Sequence, residues 1–241
     1  MATRTAKPAT ARLRRNVEDE LACEPSLNAE AIGVATHDGV VTLTGHVATH
    51  TEKIAAEAAA SRVRGVKAIV SEIEVRLSDR AQPEDEELAQ LAVQALASDT
   101  RVPAGRIQVC VEHGWLSLAG EVDWQYQRKA AYDAVAHLRG VRGVHDLLTI
   151  KPVPVSAAVK AHIEAALERS FGSRGSHIVV ESSGDHVTLR GKVQSLAERQ
   201  AAESAAWTTP GVCHVNNNIA VAPGPSPSAR RRVTAAAPGS P

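Results

Sequence analysis

The feature that most constrains the fold of this chain is a motif that occurs three times along its 241 residues. In each copy an alternating apolar segment ends in a glycine, and a Gly-Val pair follows 20 residues later. Successive copies are 75 and 71 residues apart. Because several spacings recur together, the sequence predicts three tandem structural repeats. The repeated glycines are Gly45, Gly120 and Gly191 at the ends of the alternating segments, and Gly65, Gly140 and Gly211 in the Gly-Val pairs.

Each copy contains the signals of an α-β-β-α-β unit. In the first copy, Val17 and Leu21 lie one helical turn apart, as on the apolar face of an amphipathic helix. Two alternating segments follow, one containing Ile32 and one containing Val41, with Asp38-Gly39 between them as a hairpin turn. An alanine-rich helix and a final strand complete the unit. We therefore expect an α+β fold in which each repeat is a small three-stranded mixed sheet covered by two helices on one face, with the strand order left open.

The second helix of each copy carries its own start and stop signals. Thr49 with Glu52, and Ser195 with Glu198, fit the capping box that opens a helix. In the second copy, Asp123 is the expected cap. The glycine of each Gly-Val pair is expected to adopt the left-handed conformation that ends a helix. All six repeated glycines are therefore interpreted as structural rather than catalytic.

Proline-bearing segments separate the copies and suggest the domain boundaries. The chain has 27 basic and 27 acidic side chains, but residues 1–15 and 223–241 hold eight of the basic groups and none of the acidic ones. The rest of the chain therefore carries a net charge of about −8, and no overall positive field favours a specific nucleic-acid partner. We expect three repeats at residues 14–78, 84–152 and 155–222, flanked by disordered basic tails at 1–13 and 223–241.

Composition and motif content argue against an enzyme with a large active-site cavity. Aromatic residues make up only 2% of the chain, and P-loop, Gly-x-Ser-x-Gly and Gly-x-Gly-x-x-Gly motifs are absent from the sequence. We therefore expect no catalytic residues and no cofactor. His46 and His50 are four residues apart, but Gly45 and the predicted cap at Thr49 interrupt the helical face that a His-x-x-x-His metal site needs, so we expect no metal site. The three cysteines form no Cys-x-x-Cys pair and are predicted to be buried free thiols.

The N-terminal sequence bears on the compartment. It is basic, but it lacks the apolar h-region of a signal peptide. No window approaches the ~20 apolar residues that a membrane span requires. We therefore expect a cytoplasmic protein, or a periplasmic one if translation starts further upstream.

The best candidate for a contact surface lies at the start of the second helix in the second copy. Trp124 and Arg128 share a helical face there, and Tyr126 and Lys129 lie beside them. Aromatic rings next to cations are typical of side chains at a lipid headgroup boundary. The alternative interpretation is structural: Trp124 and Tyr126 cover the sheet edge or a neighbouring repeat, and Arg128 makes a surface ion pair.

Taken together, the repeats resemble BON domains. The resemblance rests on the α-β-β-α-β order, the alanine-rich helix, the Gly-Val pair and a Val-x-Leu-x-Gly-x-Val block. This block stands at Val41–Val47 and Val187–Val193, with a variant at Leu116–Val122. The resemblance implies a non-catalytic module associated with phospholipid or envelope interaction and with stress protection, as in osmotically induced periplasmic proteins and some outer-membrane lipoproteins.

Two functional hypotheses follow. The first is weak multivalent binding to anionic phospholipid or to a membrane-associated protein, in which each basic group contributes about 1 kcal/mol. The second is a soluble, holdase-like stress protein that contacts unfolded clients, which requires exposed apolar surface. The oligomeric state stays open.

Overall fold

The computed structural model describes residues 8–77, 83–151, 159–171, 178–209 and 212–222. The α-helices in these residues are α1 (Pro8–Ala22), α2 (His50–Arg62), α3 (Asp85–Ser98), α4 (Gln125–Ala136), α5 (Val159–Phe171) and α6 (Leu196–Trp207), and a 3-10 helix spans Ala29–Ala31. The strands are β1 (Ile32–His37), β2 (Val40–Val47), β3 (Ala68–Val75), β4 (Ile107–Glu112), β5 (Trp115–Val122), β6 (Gly143–Ile150), β7 (Val179–Ser183), β8 (His186–Val193) and β9 (His214–Val221). Within the described ranges, no helix combines the length and the apolar character needed to cross a bilayer.

The strands form three separate three-stranded sheets, one in each repeat. The second strand lies in the centre of each sheet, antiparallel to the first and parallel to the third. Two helices pack together on each sheet and leave the other face open. The α+β class and the threefold α-β-β-α-β organisation are therefore confirmed, and the strand order is now defined.

The hairpin turns have the two-residue length that the sequence predicts. Asp38 and Gly39 both have positive φ, at 49° and 92°, and His113 and Gly114 follow the same pattern at 51° and 79°. Two successive positive φ values define the type I′ turn, which matches the twist of the flanking strands. In the third hairpin only Gly184 has positive φ, at 59°, as in a type II′ turn.

Each repeat has its own aliphatic core at matching positions. Ile32 and Ile178 are buried, and Ile107 packs against the core of the second repeat, so the three isoleucines occupy corresponding places. The close packing of such interiors makes each of these side chains sensitive to truncation. Further matched, buried core positions are Leu21, Leu96 and Leu167; Leu43, Leu118 and Leu189; Val66, Val141 and Val212; and Ile73, Leu148 and Ile219.

The repeated glycines serve two backbone purposes. Gly45 and Gly120 have φ of 125° and 140°, and a Cβ at either position would collide with the carbonyl oxygen of the residue just before the first strand of the sheet, Ala31 or Arg106. Gly191 lies opposite Ile219, as Gly45 lies opposite Ile73. Gly65 and Gly140 have positive φ as predicted, but each completes a short turn beyond the end of its helix. Gly211 lies outside the described residues.

Two local predictions are corrected by the structure. Helix α1 begins at Pro8 and Thr36 donates a hydrogen bond to the Thr10 carbonyl at 3.0 Å, so residues 8–13 belong to the first repeat rather than to a disordered tail. Residues 1–7 and the predicted tail at 223–241 lie outside the described residues. Only Cys213 is a buried thiol, whereas Cys23 and Cys110 are exposed.

The three repeats contact one another end to end. Thr51 at the start of α2 lies 3.2 Å from the ring nitrogen Nδ1 of His137, beyond the end of α4. The Cys213 thiol donates to the Lys151 carbonyl at 3.3 Å and joins the third repeat to the second. The amide of Gly65 donates to the Gln194 carbonyl at 3.3 Å and joins the first repeat to the third. Because a unit of about 70 residues is marginal alone, these junctions support the individual cores.

Candidate interaction surfaces

The residues predicted as a contact surface lie together at the start of α4, but they do not have equal freedom. Trp124 is 37% exposed and Tyr126 is 58% exposed. Lys129 is exposed and pairs with Asp133 one turn further along at 3.1 Å. Exposed pairs of this kind are weak, so the lysine can exchange its partner at little cost. Trp124, Tyr126 and Lys129 are called the α4 patch below.

Arg128 has a structural role instead. Its guanidinium Nε lies 2.8 Å from Asp146 on β6, and both side chains are partly buried. The third repeat repeats this link, because Arg199 donates to the Asn217 carbonyl at 2.6 Å and the Asn217 amide donates back to the Arg199 carbonyl. Arg128 therefore fits the structural interpretation, because its ion pair links α4 to β6 within the second repeat.

Trp124 occupies a position at which the other repeats have a capping hydroxyl. Thr49 and Ser195 accept hydrogen bonds from the amides of Glu52 and Glu198, as predicted. The predicted cap of α4, Asp123, is wrong: the helix begins after Trp124, and the Asp123 carboxylate pairs with Arg106 at 2.8 Å. Loss of a capping side chain costs about 0.5–2 kcal/mol. An exposed indole at this position therefore breaks a local rule that the neighbouring repeats obey.

Gln127 compensates in part for the missing cap. Its side-chain carbonyl accepts hydrogen bonds from the amides of Asp123 and Trp124, at 2.9 and 3.1 Å. Gln127 stands where Glu52 and Glu198 stand in the other repeats. Gln127, inside the helix, therefore caps the start of α4, and the Trp124 side chain makes no capping hydrogen bond.

A second group of cations recurs at the opposite end of the first two repeats, and all of them except the half-buried Arg142 are exposed. Arg64 and Lys67 flank the Gly-Val pair of the first repeat, and Arg139 and Arg142 flank that of the second. The amides of Lys67 and Arg142 donate to the carbonyls of the hairpin glycines at 2.8 and 2.9 Å, which places both side chains beside a hairpin turn. None of the four cations forms an ion pair with a described residue.

Sequence reasoning overlooked these four residues, which are called the hairpin-end cations below. The signal was present, because the cations have the same spacing around both Gly-Val pairs. In the third repeat the same positions are Pro210 and Cys213. The charge is therefore not required by the fold.

His50 is buried where the first repeat meets the second. Neither of its ring nitrogens has a hydrogen-bond partner in the described part of the chain. Burial, with smaller effects from Lys53 and His137, lowers the pKa of His50 from 6.5 to about 4. His46 is exposed on β2, so the two histidines that share a four-residue spacing occupy different environments.

The open faces of the sheets carry exposed apolar side chains. In the second repeat, Leu147 is 63% exposed and Trp115 is 42% exposed, with the indole stacked on His145 at a centroid distance of 4.9 Å. In the other repeats, Val70 and Val179 are also exposed. These side chains lie on the face away from the helices, where no described element covers them.

The family model of the BON domain matches the chain three times, at residues 9–76, 84–152 and 156–223. None of the curated proteins matches it. Among solved structures, the chain is 15% identical to CdsD, a structural protein of the type III secretion system of Chlamydia trachomatis, with 95% of this chain and 100% of that chain covered and a TM-score of 0.24. The C-terminal domain of CdsD gives 15% identity, coverage of 88% and 98%, and a TM-score of 0.25.

Proposed function

Since this chain belongs to the BON domain family, we propose that it is a non-enzymatic, stress-related module that binds anionic phospholipid surfaces weakly and through several contacts. The α4 patch carries the proposal, because Trp124 is exposed at a position where the fold favours a capping hydroxyl. Sequences that break a local rule without a structural gain do so most often at functional sites. Indole and phenol rings suit the boundary between headgroups and acyl chains.

The hairpin-end cations support the same function. The net charge of about −8 between the basic termini repels an anionic surface unless the cations are clustered. Arg64, Lys67, Arg139 and Arg142 supply such clusters, since none of them is neutralised by a described carboxylate. Each cation near an anionic membrane contributes about 1 kcal/mol. A single contact is therefore marginal, and several linked contacts give measurable binding.

Co-sedimentation with vesicles tests the proposal. The full chain is incubated at low salt with vesicles of phosphatidylglycerol and phosphatidylcholine, and with vesicles of phosphatidylcholine alone. We expect binding to the anionic vesicles that decreases as salt increases, because screening acts on exposed charges. Absence of binding to anionic vesicles at low salt contradicts the lipid proposal and leaves a membrane-associated protein as the candidate partner.

Two variants locate the contact. W124S installs the residue found at this position in the third repeat and is expected to weaken vesicle binding by about fivefold, the equivalent of about 1 kcal/mol. W115V is the matched control, because it removes an equally exposed indole from the open sheet face and installs the counterpart from the first repeat. Equal loss in both variants contradicts an assignment to the α4 patch.

A holdase-like role is the second candidate, and the open face of the second sheet favours it. Leu147 and Trp115 both expose apolar area on this face, and such area binds unfolded chains. The test is suppression of aggregation of a heat-unfolded client at equal concentration. L147E installs the Glu72 counterpart from the first repeat and should abolish the suppression; if the wild-type chain gives none, this role is contradicted.

The cytoplasmic location predicted from the sequence is tested by fractionation before and after osmotic shock. We expect the protein in the soluble fraction before shock and an increased membrane-bound share afterwards. Release of the protein with the periplasmic fraction contradicts the cytoplasmic location. An unchanged distribution contradicts the proposed link to osmotic stress.

A further inference from the structure

The third repeat brings two histidines and an aspartate together at the hairpin end of its sheet. His186 begins β8 and His214 begins β9, and the two residues are direct neighbours in the parallel register. Their rings stack with centroids 4.4 Å apart and an angle of 13° between their planes. Asp185, in the hairpin turn, places a carboxylate oxygen 3.6 Å from His186 Nε2. One nitrogen from each ring and one oxygen of Asp185 all lie within 4.8 Å of one another.

Backbone hydrogen bonds hold these three residues in place. The Asp185 carbonyl accepts hydrogen bonds from the amides of Cys213 and His214, at 3.1 and 3.2 Å. The turn that carries Asp185 is therefore attached to the start of β9. The donors come from two elements whose relative position is fixed, while the side chains themselves are exposed or partly exposed and can rotate.

The fold does not require this group of residues. The first repeat has Val40 and Ala68 where the third has His186 and His214, and the second has Trp115 and Gly143. Glycine stands in the first two repeats at the position of Asp185. All three potential ligands thus occur together in one repeat and are absent together from the others.

From this arrangement we propose that Asp185, His186 and His214 form a binding site for a divalent transition-metal ion, of which zinc is the physiological candidate. Imidazole nitrogen and carboxylate oxygen are ligands that Zn²⁺ accepts at about 2.0–2.2 Å in tetrahedral geometry. Adjacent ligand atoms around such an ion are about 3.4 Å apart. The three potential ligand atoms now lie within 4.8 Å of one another, so the exposed imidazoles would have to rotate out of the stack to reach that distance.

The site has room for the ion and for a further ligand. It lies on a cleft of about 750 Å³ between the second and third repeats. His186 and His214 line this cleft from the third repeat, and Glu121 and Arg128 line it from the second. Three protein ligands leave one tetrahedral position for water or for an exogenous donor. The inference is independent of the lipid-binding proposal.

A stacked ring pair can also be purely structural, and the second repeat provides the example in Trp115 and His145. The experiment must therefore measure the metal itself. The full chain is titrated with Zn²⁺ in competition with a chromophoric chelator. We expect one ion per chain bound at this site. Co²⁺ in place of Zn²⁺ should give the visible absorption of a tetrahedral complex, and the ring-proton resonances of His186 and His214 should shift together.

Variants taken from the other repeats keep the test clear of folding artefacts. H186V and H214A install the first-repeat residues, and each should weaken Zn²⁺ binding by about tenfold or more, since even loss of an outer-shell partner costs 10–100-fold. D185N keeps the size of the turn residue and should also weaken binding. H145N, which installs the third-repeat residue Asn216 at an exposed histidine outside the site, should leave the affinity unchanged.

The following results would overturn the assignment. Zn²⁺ affinity that is unchanged in both H186V and H214A places the ion elsewhere. Unchanged affinity in D185N removes the carboxylate from the ligand set. A stoichiometry of half an ion per chain, together with a dimer in light scattering, would mean that the ion bridges two chains and is not bound within one chain.

Discussion

The second and third repeats have separate cores built from matching positions, and they differ at two exposed places. Both repeats link their second helix to the sheet through an arginine, Arg128 or Arg199. They differ at the start of the second helix, where Trp124 stands in place of Ser195, and at the start of the central strand, where Trp115 stands in place of His186. The buried positions of each module therefore set the fold, whereas these exposed positions are available for a specific task in each copy.

The largest expected effect on the free energy of unfolding distinguishes the two faces of the second sheet. Leu118 is fully buried in β5, whereas Leu147 on β6 is largely exposed on the open face. L118A should lower the free energy of unfolding by about 2–5 kcal/mol, because it removes buried methyl groups and leaves a cavity. L147A should change it by less than about 0.5 kcal/mol. Denaturant unfolding measures both, and equal effects would contradict the assignment of the core to the helix-covered face.

The next largest effect is a pH dependence of the free energy of unfolding, which arises from His50 at the junction of the first two repeats. The pKa of His50 is lowered to about 4 by burial, so the folded state holds the neutral imidazole more strongly than the unfolded state does. The stability that the neutral His50 imidazole contributes to the folded state is fully present above pH 6.5. It is lost as the pH falls from 6.5 to about 4. H50L installs the Leu196 counterpart from the third repeat.

Between pH 7 and pH 5, the variant should gain about 2 kcal/mol of stability relative to the wild type. Lys53 and His137 act on the same imidazole, so the comparison must be made between the two chains at each pH. Parallel stability curves for the two chains would show that His50 does not titrate in this range.

A smaller effect tests the difference at the helix starts. W124S restores a capping hydroxyl to α4 and should raise the free energy of unfolding by about 1 kcal/mol, whereas S195A in α6 should lower it by a similar amount. The same W124S substitution is expected to weaken vesicle binding. A variant that is both less stable and less able to bind would mean that Trp124 supports the fold and is not a dedicated contact.

The smallest expected effect on the free energy of unfolding concerns two ion pairs of the second repeat. The Arg128–Asp146 pair joins helix to sheet and is partly buried, whereas the Lys129–Asp133 pair lies one turn apart on the helix surface. D146N should cost about 1 kcal/mol and K129A less than about 0.5 kcal/mol. Unfolding free energies at two salt concentrations distinguish them, since only the exposed pair should weaken strongly with salt. The reverse order would contradict the structural role given to Arg128.

Much of the fold could be predicted from the residue types at turns and helix starts, which the sequence shows directly. The hairpin turns at Asp38-Gly39 and His113-Gly114 follow from the need for positive φ, and the caps at Thr49 and Ser195 follow from orphan amides at helix starts. The cap of α4 was mispredicted because Asp123 has the right residue type, but pairs instead with Arg106, which is distant in sequence.

The candidate surfaces depend on contacts between distant residues, and the sequence predicted them less well. The sequence could suggest the α4 patch because Trp124 and Tyr126 lie two residues apart. The role of Arg128 depends on Asp146 in another element, which helical periodicity cannot show. The group of Asp185, His186 and His214 was missed because its two histidines meet only through the parallel pairing of β8 with β9.

We propose that the start of α4 is the surface through which this protein binds anionic lipid. A chain with W115F and W207F retains Trp124 as its only indole and reports on that position alone. With anionic vesicles whose acyl chains carry bromine, the fluorescence of Trp124 should shift to the blue and be quenched, and neither change should occur with neutral vesicles. Co-sedimentation of this chain with the anionic vesicles while the emission of Trp124 stays unshifted and unquenched would contradict the claim.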